Sequence, residues 1–396
     1  MRRPPNVMKT SMKLMTPRHS AVLSVTAWLM AVSAMAADSG YRDHYYPGTE
    51  TLAPDEMRVV ALGTGMPLLR PSQASASFLI ELGNGDIFFF DLGTGAASNF
   101  PALNIPYSRA NKVFTGHLHT DHIGDLHALW MGGWVAGRTE PLHVWGPSGR
   151  EPEYGTAVFV ENLKKTWRWD YESRVGRLPA IGGELIAHEF DYSKPAVIYE
   201  DNGVKVTAFP AIHLFDGPVS FRLDWNGLSL VFSSDTNPNK WFIEYGQDAD
   251  LVIHETFMTV DQLMARWGWD RNTAVNVGTW VHTSPAQAGK VFSEVGPRMA
   301  VGYHFFNDFN TAPEIEAEIR TTYDGPLTLA KDMMVWNVTP DAIKVRQVIA
   351  PQDTWPARTP QDAQRFPTEK RGVTPPFSDW LEAGRLKFDK NNEIVD

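Results

Sequence analysis

The sequence predicts a layered α/β sandwich, and three observations carry that expectation. Short apolar and β-branched runs recur between turn signals, helical patterns interleave with them, and histidine or aspartate closes several of the runs. Strands are expected at 57–63, 78–82, 87–93, 112–117, 142–146, 204–210, 219–225, 228–235, 251–255, 299–305 and 333–339. The first hairpin sets 80–82 against 87–89 across Gly83-Asn84-Gly85, where an Asn-Gly step supplies the positive φ that a tight turn needs.

Helix signals fall between these runs. Thr120 is placed to cap a helix running through Leu126, Leu129 and Trp130. Ser284-Pro285-Ala286-Gln287 reads as a capping box with proline at the first helical position. Further helices are expected at 259–267 and 313–323. From Pro351 onward, prolines at 351, 356, 360, 367, 375 and 376 break regular structure, so an extended tail follows, with one short helix near 379–384.

The first 20 residues hold Arg2, Arg3, Lys9, Lys13 and Arg18 and no acid, and an apolar run from Ala21 to Ala34 ends at Ala34-Met35-Ala36. That is the pattern of a cleaved export signal, too short to span a bilayer comfortably, and it predicts a periplasmic or secreted product with no membrane contact after cleavage. The expected organisation is a signal at 1–36, a catalytic domain at 37–350 and the tail at 351–396. Without the signal, 31 basic residues remain against 46 acidic ones, a net charge of −15. A chain so acidic, with no clear basic cluster, disfavours large nucleic acids and favours a small-molecule substrate. There is no cysteine, so disulfides are excluded and a metal site must be built from histidine and carboxylate. The sequence leaves the oligomeric state open, a homo-oligomer included.

The densest chemical signal is His117-Leu118-His119-Thr120-Asp121-His122. It follows an expected strand and precedes an expected helix, so its side chains sit on a sharp turn and can diverge toward two neighbouring metal ions. His117 and His119, two apart, can serve one ion, and Asp121 with His122 a second. Imidazole and carboxylate are the ligands zinc takes when thiolate is absent. Three more ligand candidates each close an apolar run and so fall on a sheet rim: His213, Asp235 and His304. The two oxygens of a carboxylate suit Asp235 for bridging. His127 and His254 are placed outside the ligand set, and His44, His143 and His188 at the surface or in packing.

Residues 57–306 resemble metallo-β-lactamase-fold enzymes of the tRNase Z branch. The likeness rests on the strand 58–65 with Pro67, the Phe90-Asp91-Leu92-Gly93 turn, the His-rich run, Asp235 after two serines, His254-Glu255-Thr256 and His282-Thr283-Ser284. It implies a four-layer αββα sandwich and two zinc ions per chain. By the same resemblance one zinc is held by His117, His119 and His213, the other by Asp121, His122 and His304, and Asp235 bridges. Glu255 and His282 would then form a relay that protonates the leaving oxygen, the alternative being a pair that only orients ligands.

Two features depart from that branch. Only 22 positions separate His213 from Asp235, where tRNA-gripping relatives insert a flexible arm, and the 91-residue interval from His122 to His213 is rich in aromatics, among them Trp130, Trp134, Trp145, Trp167, Trp169 and Tyr171. Together with Tyr45-Tyr46-Pro47-Gly48, Trp145-Gly146-Pro147-Ser148-Gly149 and His304-Phe305-Phe306-Asn307-Asp308, this is similar to exported metallo-β-lactamases grouped with the third subclass, although the carboxylate at 235 is unexpected there. The principal expectation is therefore hydrolysis of a small amide or ester such as a β-lactam by metal-activated hydroxide, with Asp121 orienting the nucleophile. The alternative is a tRNase Z-like phosphodiesterase or endoribonuclease. A non-catalytic zinc-binding protein is the third reading.

Overall fold

The computed structural model describes residues 41–359 and 377–395. The expected export segment lies outside them. The strands are β1 Met57–Gly63, β2 Ser77–Leu82, β3 Ile87–Phe90, β4 Lys112–Phe114, β5 Leu142–Pro147, β6 Leu185–Phe190, β7 Ala196–Asp201, β8 Val204–Pro210, β9 Val219–Trp225, β10 Leu228–Phe232, β11 Leu251–Glu255, β12 Met299–Tyr303, β13 Leu327–Leu329, β14 Met334–Val338 and β15 Ile343–Gln347. They form one sheet ordered β15-β14-β1-β2-β3-β4-β5-β6 and another ordered β13-β12-β11-β10-β9-β8-β7.

Burial on both faces explains why the central strands read as continuous apolar runs rather than alternating ones. Every residue of β1 is buried: Met57, Val59 and Ala61 face the other sheet, while Val60 and Leu62 face the helices outside. Phe78 crosses the inter-sheet layer to meet Tyr303 edge-on at 5.2 Å and Phe232 at 5.6 Å. The helices Leu126–Val135 and Thr156–Thr166 cover the eight-stranded sheet, and Lys240–Gly246, Val260–Trp267, Pro285–Val295 and Ala312–Ile319 cover the other. The result is the αββα sandwich.

Thr259 and Ser284 both form complete capping boxes, with Pro285 opening its helix. In the first hairpin Gly85 takes the positive φ, at 94°. The helix expected to start from a Thr120 cap is corrected. His119 occupies the N-cap position without a side-chain cap bond, and Thr120–Ile123 is a single turn separated from Leu126–Val135. The break comes at Asp125, whose backbone amide donates to the Leu92 carbonyl at 3.1 Å rather than to the carbonyl four residues back, and whose carboxylate accepts the Ala97 amide.

The aromatic interval after His122 is mostly packing. Trp130 and Trp134 are fully buried, and Trp134 stacks on Tyr171 at 5.3 Å, whereas Trp169 stays 83 % exposed. Beyond Pro351, Trp355, Pro356 and Arg358 share a cleft with Tyr107, Met131 and Val135, and a short helix spans Asp379–Ala383. Among the described residues no helix is long and apolar enough to cross a membrane.

Candidate metal centre

From β3 to β6 and from β10 to β13 the strands run parallel. The carboxyl ends of such strands are where open α/β sheets gather ligands, because the chain must turn there into loops and helices. Asp91 follows β3, His117 follows β4, Asp235 follows β10, Glu255 ends β11 and His304 follows β12. Several of the strands stop short of the expected ends because the polar residues need loop conformations: φ is 55° at Asp91, 50° at Ser234 and 75° at His304. Such values in non-glycine residues concentrate at functional sites, where surrounding contacts hold them. Gly116 lets the β4 turn seat against the next sheet, since a Cβ there would lie 2.3 Å from Ser234 Cβ.

The structure brings all seven expected ligands together. His117, His119, His213 and Asp235 form one group, and Asp121, His122, Asp235 and His304 another, each with its ligand atoms within 4.8 Å of one another. In the first, His117 Nε2 lies 3.0 Å from His119 Nδ1, which is 3.4 Å from His213 Nε2. In the second, His304 Nε2 lies 3.2 Å from Asp121 Oδ2, and His122 Nε2 lies 3.3 Å from His304 Nε2. Asp235 divides its oxygens between them. Oδ1 is 3.2 Å from both His122 and His304, and Oδ2 is 3.9 Å from His117 and 3.8 Å from His213.

Electrostatics prepare these groups to bind a cation. Burial pushes the His117 imidazole well below its ordinary 6.5, and the neighbouring His122 and His213 add to the effect against Asp235. Burial likewise takes His213 down to about 4. Burial alone would raise Asp235, but His122 and His304 hold its carboxyl well below the usual range. Asp121 Oδ1 and Asp235 Oδ1 are buried and have no hydrogen-bond partner among the described residues. Burial keeps His117, His119 and His213 neutral, while Asp235, Asp121 and Asp91 raise His122 against its burial. Imidazoles and ionised carboxylates with orphaned buried oxygens converging in one place fit a divalent metal ion, which would displace the His122 proton.

Asp91 carries more than its place in a recognisable turn suggested. Its Oδ2 accepts the His122 Nδ1 proton at 2.6 Å and the Ser234 hydroxyl at 2.8 Å, while Oδ1 accepts the Gly116 amide at 2.8 Å. Ser234 Oγ in turn sits 3.2 Å from His117 Nδ1. One carboxylate thus orients a histidine of each group, directly and through a serine. The signal was available, since Asp91 closes an apolar run as Asp235 does.

Glu255 and His282 meet beside the cluster. His282 Nδ1 lies 3.1 Å from Glu255 Oε2, and Asp235 groups with His213, Glu255 and His282 as a third convergent set. Burial raises Glu255, and Glu255 raises His282 against its own burial, so this pair holds a proton tightly. Phe257 stacks on the His282 ring at 4.3 Å. The other histidines stand apart: His127 stacks on Trp167, His254 donates Nδ1–H to the Glu255 carbonyl at 2.6 Å, and His143 pairs with His188 at 2.8 Å.

Comparison with known proteins gives this geometry a lineage. The beta-lactamase superfamily domain matches residues 88–305. Ribonuclease Z of Mycobacterium avium (strain 104) is 29% identical over 212 residues, covering 50% of this chain and 69% of that protein. Ribonuclease Z of Mycobacterium marinum is 28% identical over 202 residues, covering 50% and 70%. Among solved structures, the metallo-beta-lactamase fold protein YhfI from Bacillus subtilis aligns with a TM-score of 0.54 at 19% identity, over 72% of this chain and 100% of that one. Human tRNase Z, short form, aligns with a TM-score of 0.53 at 18% identity, over 70% and 98%. The ribonuclease Z relatives overturn the expectation that a β-lactam-like amide or ester is the principal substrate. They favour the phosphodiesterase alternative, and with it the nucleic-acid class that net charge had counted against. The chain belongs to the beta-lactamase superfamily domain family.

Proposed function

We propose that the chain is a zinc-dependent phosphodiesterase of ribonuclease Z type. The observation that carries the reading is the Glu255–His282 pair beside Asp235. Cleavage of an unactivated phosphodiester expels a poor leaving oxygen, which a positioned acid must protonate. The ribonuclease Z relatives support the same reading.

Two zinc ions are the proposed complement: His117, His119 and His213 would hold one and Asp121, His122 and His304 the other, with Asp235 common to both groups. Zinc held there would supply Lewis acidity and lower the pKa of its bound water to about 7. The chain's own residues do the rest. Asp121 Oδ1, unpartnered among the described residues, accepts a hydrogen bond from the attacking water and aims it. The oxygen of water, its surplus proton released to solvent, bonds to phosphorus as the bond to the leaving oxygen breaks. His282, its Nδ1 held by Glu255, delivers a proton to that oxygen from Nε2 and regains one from solvent. We also read the basic-then-apolar residues 1–36 as an export signal, which would place this activity outside the cytoplasm.

The test is turnover by zinc-loaded full chain of bis(p-nitrophenyl) phosphate and of an RNA dinucleotide. Hydrolysis of both, abolished by chelation and restored by zinc, is expected. Absence of turnover on both substrates with zinc bound overturns the reading.

A further inference from the structure

Two recesses flank the loop that carries His213. One, of about 320 Å³, reaches His117 and His119 and is walled by Tyr154, Phe159 and Phe215. The other, of about 620 Å³, runs past Tyr192, Trp241, Trp280 and Val281. Residues 213–217 line both, so this loop is the partition between them. The partition is anchored from the second side, where the Val281 carbonyl accepts His213 Nδ1–H at 2.9 Å. It is also strained, with φ of 23° at Leu214.

The linings share an unusual chemistry for a phosphodiesterase. Neither contains lysine or arginine, and the first includes Glu153 and Asp216. Arg150 reaches the mouth only as a cation over the Phe215 ring, at 5.5 Å. Meanwhile Trp280 is 71 % exposed and Phe215 52 %. Large planar faces left in water at the rim of a buried polar centre gain by being covered. A polyanion gains nothing from walls without cations.

The position of His282 tells the recesses apart. Trp280 and Val281 close the π-helical turn Val277–Val281 that leads directly into His282, so the second recess lies on the side of the proton donor. A phosphodiester has two substituents, and the departing one must present its oxygen to that donor. We propose that the chain selects its substrate through two planar-group subsites. The Trp241 and Trp280 recess takes the leaving substituent, and the Tyr154, Phe159 and Phe215 recess takes the retained one. The substrate class is then a short phosphodiester with a nucleobase or aryl ring on each side, not a long polyanion. This inference rests on the phosphodiesterase reading above.

Two model diesters separate the subsites, assayed with zinc-loaded full chain. Methyl p-nitrophenyl phosphate has a ring only on its leaving side, whereas bis(p-nitrophenyl) phosphate has one on each. Trp280→Ala should raise KM for both by about tenfold, the scale of one lost stacking contact, and leave their ratio unchanged. Tyr154→Ala should raise KM for the bis-aryl diester about tenfold relative to the methyl one. Both side chains are largely exposed, so the substitutions leave the core alone. The reverse pattern, or no change in KM in either variant while turnover persists, overturns the subsite assignment. Tighter binding of a decanucleotide than a dinucleotide at low salt overturns the exclusion of polyanions. Loss of all diester turnover in the unsubstituted chain refutes the phosphodiesterase reading instead.

Discussion

Asp91 Oδ2 accepts the Nδ1 proton of His122 at 2.6 Å, fully buried and 31 residues away in sequence. When a cation displaces the second proton of His122, that bond fixes the tautomer, so that Nε2 carries the lone pair facing Asp121, Asp235 and His304. Asp91→Asn would put an amide N–H or a weaker acceptor against three donors. Metal affinity should fall about 10- to 100-fold, measured by competition with a chromogenic chelator, while the far-ultraviolet circular dichroism stays unchanged. Affinity equal to that of the parent chain would show that Asp91 is only a packing residue.

Asp235 is the one residue common to all three convergent groups. Asp235→Ala leaves three ligands on each side but removes the shared anion between them. Elemental analysis after dialysis should find substantially less zinc per chain than in the parent. Full retention of the parent's zinc would defeat the bridging assignment.

His282→Ala should lower kcat about 10²- to 10⁴-fold for an RNA dinucleotide, whose leaving oxygen needs a proton. The loss should be much smaller for bis(p-nitrophenyl) phosphate, whose leaving group departs as a stable anion. Glu255→Gln should follow the same pattern, because it removes the charge that keeps His282 protonated. Equal losses on both substrates would point to a role confined to structure.

His254 offers a pH signature outside the ligand set. It is fully buried between Phe242 and Phe292, and burial holds it at about 4, below the ordinary 6.5. Above pH 6.5 it is neutral in both states and its full contribution is present. Between 6.5 and 4 the unfolded chain binds the proton and the folded chain does not, so stability falls as pH falls. A shift of this size is worth about 3 kcal/mol. Denaturant melts of the parent chain and His254→Phe across pH 7 to 4 should differ in slope by that order, and parallel curves would refute the assignment.

If the first 36 residues direct export, the chain recovered from the periplasm or medium of an expressing bacterium should begin at Ala37. Intact mass spectrometry decides this, and recovery solely of unprocessed cytoplasmic chain would count against it.

What was legible in the sequence was whatever leaves a local trace. The His117 to His122 run is contiguous, and His213, Asp235 and His304 each interrupt an apolar run, which marks a sheet rim without any knowledge of the partner strand. Ser284 and Thr259 announce their helices because a cap is written within four residues. In the two large sheets the four strands that escaped, β6, β7, β13 and β15, are the four edges. With one side unpaired, they are mostly half-buried, each with at most one buried residue, and lose the continuous apolar signature of the central strands. The pairing of Asp91 with His122 and the two recesses around His213 came from the tertiary structure alone, whereas the meeting of Glu255 with His282 was implied by the family resemblance and given its geometry by the fold. Each depends on loops from distant parts of the chain arriving at the same ends of two sheets, and no periodicity within one segment encodes that arrival.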